Sequence, residues 1–335
     1  MDKNELKKIA NLMVSPKKGI LAADESTGTI QKRFDSIGVV SNEINRRDWR
    51  QLLFQTDIFS DYISGVILFD ETLRQKTTDG ESIVDLLTKQ GIIPGIKVDK
   101  STHPLALFES EVITEGLDGL RSRLEEYLEL GAKFTKWRSV INIGKSLPSD
   151  FAIDINSYHL ALYAALCQEV GLVPIVEPEV LMDGNHSIEE CADVTLKTLN
   201  KVFIFLKQSN VYLEGIILKP NMVVSGKECN NRANSELVAK KTIEVLKESV
   251  PSEVPGIAFL SGGQADQESI DNLNAINIEA KKENAPWELT YSYGRGLQTA
   301  PLKIWAGSSN NVKKAQEEFK KRGLAASLAR EGLYK

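Results

Sequence analysis

The stretch LEGIILKPNM, Leu213–Met222, passes through three consecutive apolar residues, Ile216, Ile217 and Leu218, and ends on a lysine followed at once by proline. A continuous apolar run suits a parallel strand covered on both faces better than a half-exposed strand of alternating polarity. Pro220 disfavours helix at the residue before it, so Lys219 is expected to be extended at the strand's C-terminal end. A charged amine at the exit of a buried strand needs an explanation.

Seven other segments share this character: GILAADE from Gly19, SGVILFDE from Ser64, IIPGIKVDK from Ile92, FTKWRS from Phe134, VPIVEPE from Val173, GIAFLSGG from Gly256 and LTYSYGRG from Leu289. Helical patterns fill the intervals. LDGLRSRLEEYLELG repeats Leu117, Leu120, Leu124 and Leu128 and stops at Gly131. SIEECADVTLKTLNKVFIFLK opens with Ser187 and Glu190 three apart, a capping box. SELVAKKTIEVLKE and NVKKAQEEFKKR are amphipathic, and Leu6, Ile9, Ala10 and Met13 mark a short helix at the N-terminus. The intervals are long enough for right-handed crossovers. Strand–helix alternation without a linker predicts an α/β chain, residues 1–335 in one closed (β/α)8 TIM barrel with extra N-terminal and C-terminal helices. A doubly wound sheet is disfavoured because no dinucleotide-type glycine fingerprint follows the first strand.

Composition limits the partners. Among 335 residues, 41 basic and 46 acidic side chains leave a net charge of −5, which argues against nucleic acid held by bulk positive charge. A small anionic substrate needs only a local cluster. Three widely spaced cysteines, Cys167, Cys191 and Cys229, without a CxxC pattern predict a reducing cytoplasm and no disulfide framework. The N-terminus lacks a signal-peptide core, and no run approaches the roughly 20 apolar residues of a membrane span. Three scattered histidines, His103, His159 and His186, do not have metal-ligand spacing. His186 is read as structural, and neither metal nor cofactor is expected.

In an α/β barrel the site gathers at the C-terminal ends of the strands. Those ends carry Asp24, Asp70 and Glu71, Lys97 and Asp99, Lys136 and Arg138, Glu177 and Glu179, Lys219, Ser261 and Arg295. One such charge is ordinary for a solvated strand end; polar groups at all eight ends are not. Glu177 and Glu179 share a face, as do Lys136 and Arg138. If that face is the interior, three lysines crowd the mouth, and neighbouring cations depress a lysine's pKa. An amine poised to lose its proton is a nucleophile toward carbonyls, and carboxylates can move the protons. The alternative is an ion-pair network that merely plugs the barrel.

FLSGGQ puts Ser261, Gly262 and Gly263 after the seventh strand, and YGRG puts Gly294, Arg295 and Gly296 after the eighth, where this fold often binds phosphate. DESTGTIQKR offers Ser26, Thr29 and Arg33 around a helix start, either as a second phosphate site or as simple N-capping. Two phosphate sites flanking an amine suit a sugar phosphorylated at both ends.

Taken together, KGILAADESTGTI, GIKVDK, KWR, VPIVEPE, LEGIILKPNM, FLSGGQ and YSYGRGLQ resemble, in order and spacing, the class I fructose-1,6-bisphosphate aldolases. The resemblance runs from about Lys17 to the C-terminal LAASLAREGLYK. It implies a glycolytic and gluconeogenic lyase, a cytoplasmic homotetramer that works through a lysine Schiff base without metal. Its substrates would be fructose 1,6-bisphosphate and the triose phosphates. By motif, Lys219 would form the imine at carbon 2, and Glu177 would serve as acid and base for carbinolamine dehydration. Asp24 would take the carbon-4 hydroxyl proton, while Lys136, supported by Glu179, would hold developing charge. Lys97, Ser26 and Thr29 would contact the carbon-6 phosphate; Ser261, Gly262, Gly294 and Arg295 would hold the carbon-1 phosphate. Arg33 and Arg138 are further substrate or phosphate contacts. A transaldolase or related Schiff-base aldolase, and an idle barrel used as a scaffold, are the alternatives.

Three features depart from the family pattern. Many members carry a long C-terminal tail ending in a tyrosine that exchanges the enamine proton, and Tyr334 does not match that residue. Gly296 stands where alanine is usual. Lys17 and Lys18 stand where a glycine–lysine pair is common.

Overall fold

The computed structural model describes residues 1–57 and 59–335. Eight parallel strands close into a barrel: β1 Gly19–Ala23, β2 Ile63–Leu68, β3 Ile93–Lys97, β4 Phe134–Ile141, β5 Val173–Val180, β6 Ile217–Leu218, β7 Gly256–Phe259 and β8 Glu288–Tyr293. The order around the barrel is sequential, and β8 closes on β1 through Ile20–Ser292 and Leu21–Tyr293. All eight segments predicted as strands contribute one. β6 is short because a 3₁₀ turn, Leu213–Gly215, runs directly into it and Ile216 caps that turn. Its ladder nevertheless continues one residue further, since the Lys219 amide donates to the Val176 carbonyl at 2.8 Å.

Side chains alternate between two cores. Ile20, Ala22, Ile67, Phe134, Val173, Ile175, Ile217 and Ala258 touch one another around the closed sheet, so they fill its interior. Leu6, Ile9, Ala10 and Met13 of the first helix, Lys3–Met13, join this cluster and seal its lower end. Gly95 has no side chain because the Phe134 ring occupies the place a Cβ would take. The intervening residues, such as Leu21, Val66, Trp137, Val176 and Leu218, pack outward against the helices.

The helices follow the sequence pattern with small shifts. The helix Leu120–Glu129 starts three residues after Leu117, because Gly119 is left-handed, and Gly131, also left-handed, terminates it. Ile188–Gln208 carries the predicted capping box of Ser187 and Glu190. Ser235–Ser249 and Val312–Arg330 form the other two predicted helices. A hairpin of Thr102–Pro104 and Val112–Thr114 was not foreseen. Lys17 adopts φ 65°, which explains why glycine suits that position; its amide donates to Glu331 Oε1 at 2.9 Å. No described helix is long and apolar enough to cross a membrane.

Candidate active site

Four inward-facing rows of the barrel read apolar first and polar last. Ile20 and Ala22 precede Asp24 on β1, Phe134 precedes Lys136 and Arg138 on β4, Val173 and Ile175 precede Glu177 and Glu179 on β5, and Ile217 precedes Lys219 on β6. The apolar layers end, and a cavity of about 360 Å³ opens above them. It is lined by all fourteen predicted site residues: Asp24, Ser26, Thr29, Arg33, Lys97, Lys136, Arg138, Glu177, Glu179, Lys219, Ser261, Gly262, Gly294 and Arg295. Asp70 and Glu71 do not join it. β2 ends at Leu68 and the chain turns into the helix Asp70–Arg74, where Asp70 pairs with Arg74, and Glu71 with Arg46.

The centre is a chain of alternating charges. Lys136 Nζ lies 2.9 Å from Asp24 Oδ2 and 3.2 Å from Glu177 Oε2, and Glu177 Oε1 lies 3.2 Å from Lys219 Nζ. The side chains of Lys136, Glu177 and Lys219 are each at most 6% exposed, so these ions exist only because they pair. Burial opposes the charge on Lys136, but Asp24, Glu177 and Asp99 together overcome it and push its pKa up. The expectation that crowded cations would depress it is corrected for this lysine: β1, β5 and the end of β3 supply carboxylates in greater number. Burial likewise opposes ionisation of Asp24, yet Lys136, Lys219 and Lys97 hold its carboxyl well below the usual range. Glu177 is also lowered; burial resists, and Lys136, Lys219 and Arg138 prevail. At the rim, Arg138 pairs with Glu179 and Lys97 Nζ lies 3.2 Å from Asp99.

The two glycine loops meet, with Arg295 donating to the Gly262 carbonyl. Gly262 is left-handed at φ 53°, and Gly294 immediately precedes the helix Arg295–Trp305, so backbone amides and a guanidinium converge on one edge of the cavity. Opposite them, Ser26 precedes the helix Thr27–Asp35 without bonding its backbone amides; its hydroxyl lies 3.1 Å from that of Thr29. Simple N-capping is therefore not what Ser26 does.

Sequence reasoning missed the supports. Asn221, buried just after Lys219, accepts from the Val180 amide at 3.0 Å and donates to Thr195 at 3.1 Å, tying the lysine's segment to β5 and its following helix. Glu25, beside Asp24, is buried among Arg33, Gln298 and Arg50. A polar residue next to an active strand end was the only local signal for either. Among the described residues, no group of three or more histidine, cysteine, aspartate or glutamate side chains is placed to hold a metal ion.

The comparisons with known proteins agree with this geometry. The family model described as fructose-bisphosphate aldolase class-I matches residues 5–335. The chain belongs to the class I fructose-bisphosphate aldolases. A "probable fructose-bisphosphate aldolase class 1" of Xanthomonas axonopodis pv. citri is 55% identical over 331 residues, spanning 97% of this chain and 98% of its own. "Fructose-bisphosphate aldolase 4, cytosolic" of Arabidopsis thaliana is 53% identical over 96% of this chain and 81% of its own. The solved fructose-bisphosphate aldolase of Plasmodium falciparum, in complex with TRAP and a small molecule inhibitor, superposes with a TM-score of 0.97 at 48% identity. That likeness covers 99% of this chain and 95% of the solved one. This aldolase is thus a lyase for the reversible cleavage of fructose 1,6-bisphosphate to dihydroxyacetone phosphate and glyceraldehyde 3-phosphate.

Proposed function

We propose that this aldolase cleaves its substrate through an imine on Lys219, without a metal ion. The observation that carries the reading is Glu177, whose two oxygens each lie 3.2 Å from an amine, Lys219 on one side and Lys136 on the other. Glu177 accepts a proton from the Lys219 ammonium, and the freed amine adds to carbon 2. Once that ammonium is gone, the carboxyl holds its proton more firmly and returns it to the carbinolamine hydroxyl, which leaves as water. The resulting iminium draws the electron pair of the bond between carbons 3 and 4, while Asp24 takes the carbon-4 hydroxyl proton. Glyceraldehyde 3-phosphate departs, leaving the enamine. Protonation at carbon 3 and hydrolysis of the imine release dihydroxyacetone phosphate. Lys136, kept cationic by two carboxylates, stabilises the developing negative charge.

Ser261, Gly262, Gly294 and Arg295 would hold the carbon-1 phosphate, and Ser26, Thr29 and Lys97 the carbon-6 phosphate, with Arg33 and Arg138 as further contacts. Borohydride reduction with fructose 1,6-bisphosphate, followed by peptide mapping, is expected to place the adduct on Lys219, and turnover is expected to survive EDTA. An adduct on another residue, or chelator-sensitive turnover, refutes the mechanism. A cytoplasmic location is supported by the cytosolic designation of plant relatives. A homo-oligomer is supported by exposed Leu107 and by Phe108 stacked on Phe151 at 5.1 Å, an apolar patch that sedimentation of a Phe151→Ser variant would test.

A further inference from the structure

The loops that follow β5, β6 and β7 are fastened to one another outside the catalytic cavity. The Gly226 amide donates to His186 O at 2.9 Å, Lys227 to Met182 O at 2.8 Å and Glu228 to Gly184 O at 2.9 Å. The approach is so close that a Cβ on Gly226 would fall on the Gly184 carbonyl. From this zipped pair the Lys227 side chain reaches over the β7 loop, its Nζ 2.6 Å from Asp183 Oδ1. It presses on Gly263: a Cβ there would lie 2.2 Å from Lys227 Cε, 2.6 Å from Nζ and 3.0 Å from Met182 Cγ.

A surface ion pair with 42% and 63% exposed partners ordinarily contributes little. What distinguishes this one is its seat. Gly263 adjoins Ser261 and Gly262, which line the cavity, and Gly262 in turn receives Arg295. A free Ser–Gly–Gly turn has many conformations, and ordering it on phosphate binding costs entropy. A lysine stem lying on the third residue, anchored by Asp183 to the loop after Glu177 and Glu179, removes much of that freedom beforehand.

We propose that Lys227, held by Asp183, is a strap over the Ser261–Gly263 turn and a positioning residue for its grip on the substrate's carbon-1 phosphate. The inference rests on the reading that this turn holds that phosphate. Lys227 does not line the cavity, so it acts on affinity rather than on bond cleavage.

The test is steady-state cleavage of fructose 1,6-bisphosphate and fructose 1-phosphate by Lys227→Ala, Gly263→Ala, the double variant and Ser261→Ala. Lys227→Ala is expected to raise KM for both substrates about fivefold, the equivalent of a well-placed exposed ion pair, with kcat within about twofold. Inhibition by inorganic phosphate should weaken in parallel. Gly263→Ala is expected to raise KM in the parent by displacing the lysine stem, and to add little once Lys227 is alanine. Additive effects of the two, an unchanged KM in Lys227→Ala, or a fall in kcat at constant KM would overturn the strap. Ser261→Ala separates the two levels: if it raises KM while Lys227→Ala does not, the strap fails and the phosphate reading stands. If neither raises KM, the phosphate reading fails and takes the strap with it.

Discussion

Replacing Lys136 by methionine keeps most of the side chain's volume and removes one charge from the centre of the site. In the parent, that charge lies 2.9 Å from Asp24 and 3.2 Å from Glu177. At an effective dielectric of about 20, each attraction is worth roughly 5–6 kcal/mol before desolvation is counted. Most of this offsets the cost of holding three ions out of water, and deleting one partner of a buried pair costs about 3–5 kcal/mol. Since Asp24 loses its nearest cation and Glu177 one of two equally near, the upper end, about 5 kcal/mol, is expected at pH 7. The pH dependence follows from the same charges. Asp24 and Glu177 have depressed pKa values in the folded parent, so the stability they supply is present above the unfolded carboxylate value near ~4 and is lost as pH falls through the folded values. Without Lys136, Asp24 keeps Lys219 and Lys97 and Glu177 keeps Lys219 and Arg138, so burial is opposed less, both folded values rise, and the variant loses less than the parent on acidification. The gap between parent and variant should therefore shrink as pH falls below about 4, and Asp24→Asn added to Lys136→Met should recover part of the loss. Urea unfolding followed by circular dichroism measures both. A loss below about 1 kcal/mol at pH 7, or a gap that widens on acidification, refutes the reasoning.

Three further outcomes are expected. Glu177→Gln should lower kcat by about 10²–10⁴ with KM changed only slightly, because a proton carrier is lost while the phosphate contacts remain; rapid-quench kinetics would separate the steps. Lys17→Gly should raise stability by about 1 kcal/mol in urea, by relieving a left-handed lysine; no rise in the midpoint would mean that the position is unstrained. Ser26→Ala should change stability by less than about 0.5 kcal/mol, because Ser26 caps no backbone amide. It should nevertheless raise KM for fructose 1,6-bisphosphate and leave KM for fructose 1-phosphate unchanged.

The barrel was legible because all eight strands are apolar runs that end on polar residues, and because period-two parity places Lys136 with Arg138 and Glu177 with Glu179 in one interior. What parity could not supply was which strand faces which. The balance of charge on Lys136 depends on Glu177 from the adjacent β5 and on Asp24 from β1, which comes near only once the sheet closes. Asp70 and Glu71 looked equivalent to the other strand-end charges, yet one turn of helix after Leu68 carries them outside. Asn221 was passed over because its importance lies in Val180 and Thr195, which are far from it in sequence. Polar side chains that act by holding backbone leave no period and no charge pattern to read.

Closure of the barrel also bears on the question that the three lysines posed. Lys136 has two carboxylates within 3.2 Å and an elevated pKa, so freeing its amine would leave Asp24 and Glu177 competing for one proton in a buried site. Lys97, the most exposed of the three, lies 3.2 Å from Asp99 on its own strand's extension, toward the rim. Lys219 has a single carboxylate neighbour, Glu177 at 3.2 Å, and that neighbour already has Lys136 to neutralise it. Proton transfer from Lys219 to Glu177 therefore leaves no unpaired buried charge, since the Lys136 ammonium remains beside Asp24. In the proposed mechanism, the nucleophile is the lysine whose deprotonation the network can absorb. If this is the reason, Lys219→Met should yield no borohydride-trapped adduct on Lys136 or Lys97 either, even with saturating fructose 1,6-bisphosphate and long exposure. A substitute imine on Lys136 would show that the choice is set by reach alone, and the charge argument would fall.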